Sequence, residues 1–303
     1  MAIVHSTQLG SIEQFCKAAE LESFTGAAEV FGVTPAAISR SISRLERRLG
    51  VRLFSRTTRS VKVTNEGALY WKECQIALDQ IAEAERAITG AQTVPSGLLR
   101  ISVSAAYGTY RLLPLMPGFT EAYPQIDIEL SISDKIIDFV EDGFDLAIRL
   151  GIQRDSRLVA YKLEDASLGV FGTPDYLRKK GVPRSLDELE AHDCIQYVSP
   201  NTGRALQWLF TDESGDEIEQ PIKSRMRVLN DALGCVAWVN AGGGLYQTYR
   251  FAAADALRRG ELVEVLQDYA GRSRPFSILY PQNRHLSAKV HAFVDFLRAA
   301  VSA

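Results

Sequence analysis

The segment from Thr34 to Gly50 constrains the fold of this chain more than any other stretch of its sequence. Thr34 and Pro35 form a strong helix start, because a hydroxyl can cap free backbone N–H groups and proline already has a helical φ angle. Gly50 supplies the matching stop. Between these ends, apolar residues recur at offsets of 4, 3 and 4, which is the spacing of one helix face. The residues of this predicted buried face are Ile38, Ile42, Leu45 and Leu49.

The opposite face of the predicted helix is small and hydroxylic, with arginines among these residues. Small side chains let a helix sit deep in a groove, hydroxyls reach base edges or phosphates, and arginine reads guanine or neutralises phosphate. The outward residues are Ala36, Ser39, Arg40, Ser43 and Arg47. This composition favours contact with DNA.

The charge of the chain is unevenly distributed. Residues 1–65 carry nine Lys/Arg and five Asp/Glu, a net charge of +4, which leaves −7 for the remainder of a chain whose total is −3. Between Arg40 and Lys62, eight basic residues accompany a single acid, Glu46. A basic module on an acidic body is typical of proteins that bind a polyanion. A solvated charged face is the alternative, and charge alone favours that alternative.

The elements on either side of this helix complete a winged helix-turn-helix pattern. Ser23 caps a short upstream helix that ends at Gly32, close before Thr34. Residues 51–54 and 61–64 are predicted to be strands, and the arginine and hydroxyl loop between them suits phosphate or minor-groove contact. The residues predicted to bind double-stranded DNA are Thr34, Pro35, Ala36, Ser39, Arg40, Ser43, Arg44, Arg47, Arg56, Thr57, Thr58 and Arg59.

A long helix is predicted to follow, from a cap at Thr64 to about Ile88. Its apolar positions keep an alternation of three and four residues, interrupted by Glu85, that is typical of a helix–helix seam. These positions are Trp71, Cys74, Leu78, Ile81 and Ile88. An ordinary amphipathic helix packed on its own body is the alternative. The place of the helix between a DNA-binding head and a hinge at residues 93–97 favours dimerisation, since one helix-turn-helix reads too few base pairs.

From Leu98 onward, strand and helix patterns alternate, which indicates an α/β body with a parallel sheet. The first half is predicted to contain strands at 98–104, 126–132 and 145–150, a helix through Leu112 and Phe119, and a helix at 136–141. The second half is predicted to contain strands at 194–198 and 225–229 and a helix at 231–241. A strand at 276–280 and a helix at 286–299 return to the first half.

Ligands of open parallel sheets bind beyond the carboxyl ends of the strands. The residues that this rule nominates are Ser102, Ser104, Tyr107, Ser133, Asp134 and Arg149 in the first half, and Tyr197, Ser199, Asn230, Asp231, Tyr246 and Gln247 in the second. Ser104, followed by a helix start, offers a hydroxyl and free N–H groups as an anion seat. Arg149 either pairs with a ligand carboxylate or forms a salt bridge to Asp134 or Asp145.

The sequence carries no motif typical of an enzyme, a cofactor site or a metal site. It has no Gly-x-Ser-x-Gly, no His-Glu-x-x-His and no phosphate loop, since the glycines at 242–244 are not followed by Lys and Ser/Thr. The four scattered cysteines fit reduced, mostly buried thiols of a cytoplasm. Residues 1–17 lack the features of a secretion signal, and no apolar run is long enough to span a membrane. We expect a cytoplasmic protein that is not an enzyme and has no cofactor, metal site or membrane contact.

The N-terminal residues resemble the signature of LysR-type transcriptional regulators at many positions of fixed spacing. The matching residues are Ala27, Ala28, the run from Thr34 to Ser39, Leu45, Glu46, Leu49, Gly50, Leu53, Phe54, Arg56, Val61, Thr64 and Gly67. Many members have glutamine at the second position of the recognition helix, where this chain has Pro35. The difference leaves an apolar contact there and bears on which bases are read, not on the fold.

The resemblance implies three parts. They are a winged helix-turn-helix domain at residues 1–65, a linker and dimerisation helix with a hinge at 66–97, and an effector-binding domain at 98–303. The last would be two-lobed and periplasmic-binding-protein-like, with lobe I at about 98–171 and 271–303, lobe II at about 172–270, and crossing strands near Gly172 and Gly271.

The function that the resemblance implies is that of a sequence-specific DNA-binding transcriptional regulator that responds to a small-molecule effector between its lobes. The implied partners are an interrupted inverted repeat in double-stranded DNA, an effector for which a carboxylate is one candidate, further copies of the chain as a dimer of dimers, and RNA polymerase if the protein is an activator. An α/β small-molecule-binding protein or enzyme with an accessory DNA-binding head is the alternative.

Overall fold

The computed structural model describes residues 6–56, 61–89, 94–139, 142–151, 158–212, 214–282 and 287–302. The chain divides into two units, Met1–Thr93 and Val94–Ala303. Within the described ranges, none of the helices combines the length and the apolar character that crossing a membrane would require.

The first unit is a winged helix-turn-helix with a long helix after the wing. Its elements are α1 (Ser6–Glu20), α2 (Phe24–Phe31), α3 (Pro35–Leu49), β1 (Phe54–Arg56), β2 (Val61–Val63) and α4 (Asn65–Thr89). The two strands pair antiparallel and form the described part of the wing. The predicted ends of α3 are confirmed, because the Thr34 hydroxyl accepts the N–H of Ala37 at 3.2 Å and Gly50 ends the helix with a left-handed φ of 74°.

The buried face of α3 packs into the core of the first unit. Ile38 and Ile42 are completely buried there, and Leu45 nearly so. The prediction for Leu49 is wrong: this side chain is 37% exposed, because it lies in the final turn of α3, beyond the part of the helix that reaches the core. The buried face of α3 also includes a polar residue that was not predicted, Ser41. Its hydroxyl donates to that of Ser11 on α1 at 3.1 Å.

Glu46 joins α3 to the first strand of the wing. Its carboxylate is buried and accepts the N–H of Leu53 at 2.9 Å and that of Phe54 at 3.2 Å. The guanidinium of Arg52 lies 3.7 Å from the same carboxylate. The Glu46 carboxylate therefore accepts backbone N–H groups that strand pairing would otherwise have used. The predicted strand at 51–54 is shorter than expected, and β1 begins at Phe54.

Helix α4 starts as predicted, with the Thr64 hydroxyl accepting the N–H of Gly67 at 3.0 Å. Its first apolar positions pack inside the first unit: Cys74 is buried, and Trp71 and Leu78 are partly buried against the same core. The predicted seam is thus an intramolecular contact in its first half, which was the alternative interpretation. Ile81 is exposed, and the side chain of Ile88 lies outside the described residues.

The second unit is a two-lobed α/β structure. Its strands are β3 (Gly97–Val103), β4 (Ile126–Ile132), β5 (Leu146–Leu150), β6 (Leu158–Gly172), β7 (Ile195–Val198), β8 (Trp208–Thr211), β9 (Glu217–Gln220), β10 (Met226–Leu229), β11 (Tyr246–Tyr249), β12 (Val263–Val265) and β13 (Ser273–Pro281). Its α-helices are α5 (Ala105–Tyr107), α6 (Met116–Ala122), α7 (Pro174–Lys180), α8 (Ala232–Asn240), α9 (Arg250–Arg258) and α10 (Ala288–Ser302). A π-helical turn (Gly108–Leu112) and 3-10 turns (Leu113–Leu115, Asp187–Ala191, Gln267–Tyr269) complete it.

The largest sheet of this unit has the strand order β11-β6-β13-β5-β3-β4, with β12 also paired to β6. The predicted parallel arrangement is confirmed for β3, which pairs parallel with both β4 and β5. The crossing strands are β6, which ends at Gly172, and β13, which begins at Ser273. They pair antiparallel with each other, so the sheet as a whole is mixed.

Each lobe has its own hydrophobic core. The core of lobe I lies between residues 99 and 166 and between 276 and 297, with Phe119, Phe276 and Phe293 at its centre. The cores of lobe II lie between residues 170 and 266. The predicted helix at 136–141 is wrong for its described part, because residues 136–139 are irregular and the N–H of Ile136 donates to the side chain of Asn201 in lobe II.

We expect Glu46→Ala to lower the free energy of unfolding of the first unit by about 2–4 kcal/mol, because buried N–H groups of Leu53 and Phe54 lose their acceptor. Urea titration of the full chain, read by hydrogen exchange at peptides from α1 to α3, measures this. Glu29→Ala, which removes an exposed carboxylate from α2, is the matched control. Equal midpoints for the two variants would contradict the role assigned to Glu46.

Candidate functional site

The outward face of α3 carries most of the residues predicted to bind DNA. Helix α3 turns its apolar side to the core, so the opposite side faces solvent. Thr34, Pro35, Ala36, Arg40, Arg44 and Arg47 are exposed, and Ser39 and Ser43 are half-buried. Arg56 lies at the end of β1, but its side chain and the whole of Thr57, Thr58 and Arg59 lie outside the described residues.

The chemistry of this face suits a nucleic acid. Small residues stand at the start of the helix, and exposed guanidinium groups follow along one side at Arg40, Arg44 and Arg47. Such groups can donate to phosphate or to guanine. Glu46, although it is the one acid between Arg40 and Lys62, does not weaken the positive face, because its carboxylate is buried and bonded to the backbone of the wing. A lone acid in so basic a stretch was the sequence signal for this structural role.

A second candidate site is a cavity of about 410 Å³ between the two lobes of the second unit. Seven of the twelve nominated residues line it. They are Ser104, Asp134, Arg149, Tyr197, Ser199, Tyr246 and Gln247. Five of them lie at or just beyond the carboxyl ends of parallel-paired strands of the two lobes, whereas Tyr246 and Gln247 begin the antiparallel strand β11.

Arg149 is the buried cation of this cavity, with 8% of its surface exposed. Its guanidinium donates to the hydroxyl of Ser102 at 2.6 Å, to the carbonyl of Lys135 at 3.2 Å and to that of Ile148 at 3.3 Å. Burial lowers the pKa of this guanidinium to about 10, an effect that the charge of Asp134 partly opposes. The buried Nε atom has no hydrogen-bond partner among the described residues.

Neither carboxylate that was considered as a partner for Arg149 forms an ion pair with it. Asp134 and Asp145 are both described, and no oxygen of either lies within 4.0 Å of the guanidinium nitrogens. Asp145 instead lies 3.4 Å from the ammonium of Lys289 and accepts the N–H of Arg100. Within the described residues, Arg149 therefore does not form the salt bridge to Asp134 or Asp145 that was the alternative to a ligand contact.

The anion seat expected at Ser104 is partly occupied by the protein itself. The N–H of Ala105 donates to one carboxylate oxygen of Asp134 at 3.0 Å, so this donor is not free for a ligand. The hydroxyl of Ser104 does not cap the helix that follows; it is buried and lacks a hydrogen-bond partner in the described part of the chain. The hydroxyl, rather than the helix start, is what Ser104 offers to the cavity.

The structure does not bring the other five nominated residues to the cavity wall. Ser102 is completely buried behind Arg149, and Tyr107 is buried in the core of lobe I, with its ring centroid 4.7 Å from that of Phe276. Ser133 accepts the N–H of Lys135 within its own turn.

The remaining two of these five residues serve the start of α8. Asp231 caps the helix by accepting the N–H of Gly234 at 2.9 Å. Asn230 has a left-handed φ of 63°, and its N–H donates to the carbonyl of Val198 at 3.1 Å. The side chain of Asp231 is thus used in the strand-to-helix turn, and Asn230 takes part in the same turn through its backbone.

A set of hydrogen bonds between the lobes, which we call the clasp, joins Asn201 and Tyr197 of lobe II to Asp134 and Ile136 of lobe I; Asn201 was not predicted from the sequence. The amide of Asn201 in lobe II donates to the carbonyl of Asp134 at 2.7 Å and accepts the N–H of Ile136 at 2.8 Å. The hydroxyl of Tyr197 donates to the Asp134 carboxylate at 3.0 Å. Asn201 lies in a polar loop just beyond β7, so extending the carboxyl-end rule from strand ends into the following loop would have found it.

Further cavity residues come from antiparallel strands, to which the parallel-strand rule does not apply. Arg274 and Phe276 belong to β13, and Thr248 and Tyr249 to β11. Burial raises the pKa of the Tyr249 hydroxyl to about 12, while its contact with the Arg274 guanidinium acts in the opposite direction. The other lining residues that the sequence analysis did not nominate are Ala106, Ile136, Leu150, Leu168, Asn201, Thr202, Leu206, Gln207, Trp208, Ala232 and Val236.

Both parts of the chain match family models. Residues 9–68 match the model described as bacterial regulatory helix-turn-helix protein, lysR family, and residues 92–302 match that of the LysR substrate binding domain. An HTH-type transcriptional repressor of Pseudomonas aeruginosa is 32% identical over 297 residues, which cover 96% of this chain and 91% of the relative. The HTH-type transcriptional regulator CrgA of Neisseria meningitidis is 32% identical over 286 residues, which cover 93% of each chain.

Solved structures agree with these relatives over nearly the whole chain. The structure of CrgA, a LysR-type transcriptional regulator from Neisseria meningitidis, has a TM-score of 0.63 at 29% identity and covers 97% of this chain and 99% of its own. Full-length AphB, the virulence activator of Vibrio cholerae, has a TM-score of 0.60 at 28% identity, with 96% and 98% covered.

We expect Asn201→Ala to raise the rate of hydrogen exchange in the peptide spanning residues 133–139 by about tenfold, because the Ile136 N–H and the Asp134 carbonyl lose their partners. Exchange followed by mass spectrometry on the full chain measures this. Thr202→Ala is the matched control, since the Thr202 hydroxyl accepts the N–H of Arg204 within its own loop. An unchanged rate in the Asn201 variant would show that the clasp does not hold the lobes together.

Proposed function

The chain belongs to the LysR family of bacterial transcriptional regulators, and from that premise we propose how it binds DNA and what it senses. As a member, it is a DNA-binding transcriptional regulator with an effector-binding domain. The DNA interface is the outward face of α3 together with the wing, and the effector site is the cavity that contains Arg149 and Ser104. Its place of action is the cytoplasm, where bacterial DNA lies.

The proposed DNA contacts follow from the groove that a helix can enter. Small residues at the start of α3 allow close approach to base edges, with Pro35 as an apolar contact. Arg40, Arg44 and Arg47 neutralise phosphates or donate to guanine, and the wing arginines Arg56 and Arg59 bind phosphate or the minor groove. Because one such head reads few base pairs, the protein acts as a homo-oligomer, a dimer of dimers, on an interrupted inverted repeat.

We expect Arg40→Ala and Arg56→Ala each to weaken binding to the DNA upstream of the protein's own gene by about tenfold at fixed salt, because each removes a cationic contact. Fluorescence anisotropy across a salt series measures this, and loss of a phosphate contact also makes the salt dependence shallower. Arg178→Ala, an exposed arginine of α7, is the control. Unchanged affinity in both head variants would show that DNA binds elsewhere.

The observation that carries the proposed effector class is the buried guanidinium of Arg149, which lines the cavity and forms no ion pair with Asp134 or Asp145. The Nε atom of Arg149 and the Ser104 hydroxyl are both buried, and neither has a hydrogen-bond partner in the described chain. An anion that accepts from both satisfies two donors that otherwise cost free energy. We therefore infer that the effector is an anion, and a carboxylate fits the planar fork of arginine.

The remaining wall of the cavity describes the rest of the effector. Arg149 and Arg274 carry positive charge and Asp134 negative charge, so one negative charge on the ligand balances the three groups. The other walls are apolar and aromatic, with Trp208 and Phe276 among them. A monocarboxylate with a hydrophobic or aromatic body fits this combination.

We expect benzoate or hexanoate to bind the full-length protein and the neutral amides benzamide and hexanamide to bind at least about tenfold more weakly, since the amides lack the charge that Arg149 attracts. Isothermal titration calorimetry measures the four affinities. In Arg149→Met and Ser104→Ala, the preference for the carboxylate is reduced while DNA affinity is unchanged. Equal binding of acids and amides would contradict an anionic effector without affecting the DNA assignment.

The clasp offers a route from the cavity to regulation. Asp134 lines the cavity and bonds to Ala105 in lobe I and to Tyr197 and Asn201 in lobe II. A ligand that binds next to Asp134 with different affinity in open and closed forms shifts the population between them. Such a shift is sufficient for an effector to alter transcription.

A further inference from the structure

A pair of thiols lies in the first unit, whereas the cavity belongs to the second. Cys16 of α1 and Cys74 of α4 belong to the same core, where the two helices pack together. The side chains of the two cysteines are hydrogen-bonded to each other. Both residues are buried, with exposed fractions of 7% and 6%, so only a reagent as small as hydrogen peroxide is considered as the oxidant.

The surroundings of Cys74 favour its thiolate. The hydrogen bond from Cys16 lowers the pKa of Cys74 most, and the Tyr70 hydroxyl and the charge of Arg48 lower it further, against the opposing effects of burial and Glu73. A stabilised thiolate is the reactive form of cysteine. The other two cysteines differ, because burial raises the pKa of Cys194 to about 12 and that of Cys235 to about 11.

We propose that Cys16 and Cys74 are a reversible thiol–disulfide site, which a small hydroperoxide converts into an intramolecular disulfide between α1 and α4. The Cys74 thiolate attacks one peroxide oxygen, so an S–O bond forms, the O–O bond breaks and the departing hydroxide takes up a proton to become water. The Cys16 sulfur then attacks the sulfur of Cys74; an S–S bond forms, the S–O bond breaks, and the hydroxyl leaves with the Cys16 proton as a second water. Two thiols are oxidised and one hydrogen peroxide is reduced to two waters.

The same cluster connects the thiols to the helix that the family uses to read DNA. The Tyr70 hydroxyl bonds to both the Cys74 thiol and the guanidinium of Arg48, which lies in the last turn of α3. In the disulfide, the Cys74 sulfur has neither a proton nor a charge, and it is drawn towards Cys16. Tyr70 and Arg48 then lose the partner that orders them. We expect oxidation to weaken DNA binding by about tenfold.

The test treats the full-length, reduced protein with hydrogen peroxide and maps its peptides without reductant. The expected result is a peptide pair linked through Cys16 and Cys74, which dithiothreitol separates again. In Cys16→Ser, dimedone traps the sulfenic acid of Cys74, whereas Cys194→Ser and Cys235→Ser still form the linked pair. At neutral pH, iodoacetamide modifies Cys74 at least about tenfold faster than Cys194 or Cys235.

Three outcomes would overturn the proposed thiol–disulfide site: no linked pair, a link between two chains instead of within one, or equal alkylation rates for the three cysteines. A fourth outcome, a linked pair that leaves DNA affinity unchanged, would overturn the effect on DNA binding. The last would remove the connection to α3 while leaving the thiol chemistry in place. The peptide map and the alkylation rates depend neither on DNA nor on a cavity ligand. Failure here is therefore distinguishable from failure of the proposed function.

Discussion

The antiparallel pairing of β6 with β13 is the constraint on which the second unit depends. The ladder runs from Leu158 opposite Pro281 to Ser167 opposite Ser273, with one shift of register between Phe276 and Ser277. Beyond this pairing, β13 also bonds to β5 in lobe I, and β6 bonds to β11 and β12 in lobe II. Both lobes are therefore hydrogen-bonded to the same two strands, and the cavity lies where these strands pass from one lobe to the other. Its walls are set by backbone hydrogen bonds before any ligand is present.

Two buried charged side chains show how the same physical cost can serve structure or function. The buried carboxylate of Glu46 accepts backbone N–H groups at the start of the wing. Because a buried charge without such partners is costly, these hydrogen bonds hold α3 against β1. Arg149 is only partly satisfied, because its buried Nε has no hydrogen-bond partner in the described chain; the residue lines a cavity to which Ser104, with a likewise unpartnered hydroxyl, also belongs. A buried polar group with all its hydrogen bonds made stabilises the fold, while one that lacks a hydrogen-bond partner within the described chain indicates a ligand.

How far the sequence predicted each feature depended on whether the cause was local. The ends of α3, the cap at Thr64 and the parallel pairing of β3 follow from caps, glycine and periodicity, and the structure agrees with them. Of the seven nominated residues that line the cavity, five lie at or just beyond the carboxyl ends of parallel-paired strands, which are readable from sequence, and two, Tyr246 and Gln247, begin the antiparallel strand β11. Asn201, Arg274 and Tyr249 were not nominated, since they come from a loop or from antiparallel strands that meet the cavity through long-range pairing.

The sequence by itself determined the helix from Thr34 to Gly50, its basic outward face and the α/β character of the body, because hydrogen-bonding caps and side-chain periodicity act over a few residues. The tertiary structure alone decided which polar residues remain available. It paired Ser102 with Arg149 of another strand and Asp231 with the start of α8, buried Tyr107, exposed Leu49 and left Arg149 facing a cavity. The physical reason is that the availability of a polar group depends on every segment that packs around it, and those segments are distant in the chain.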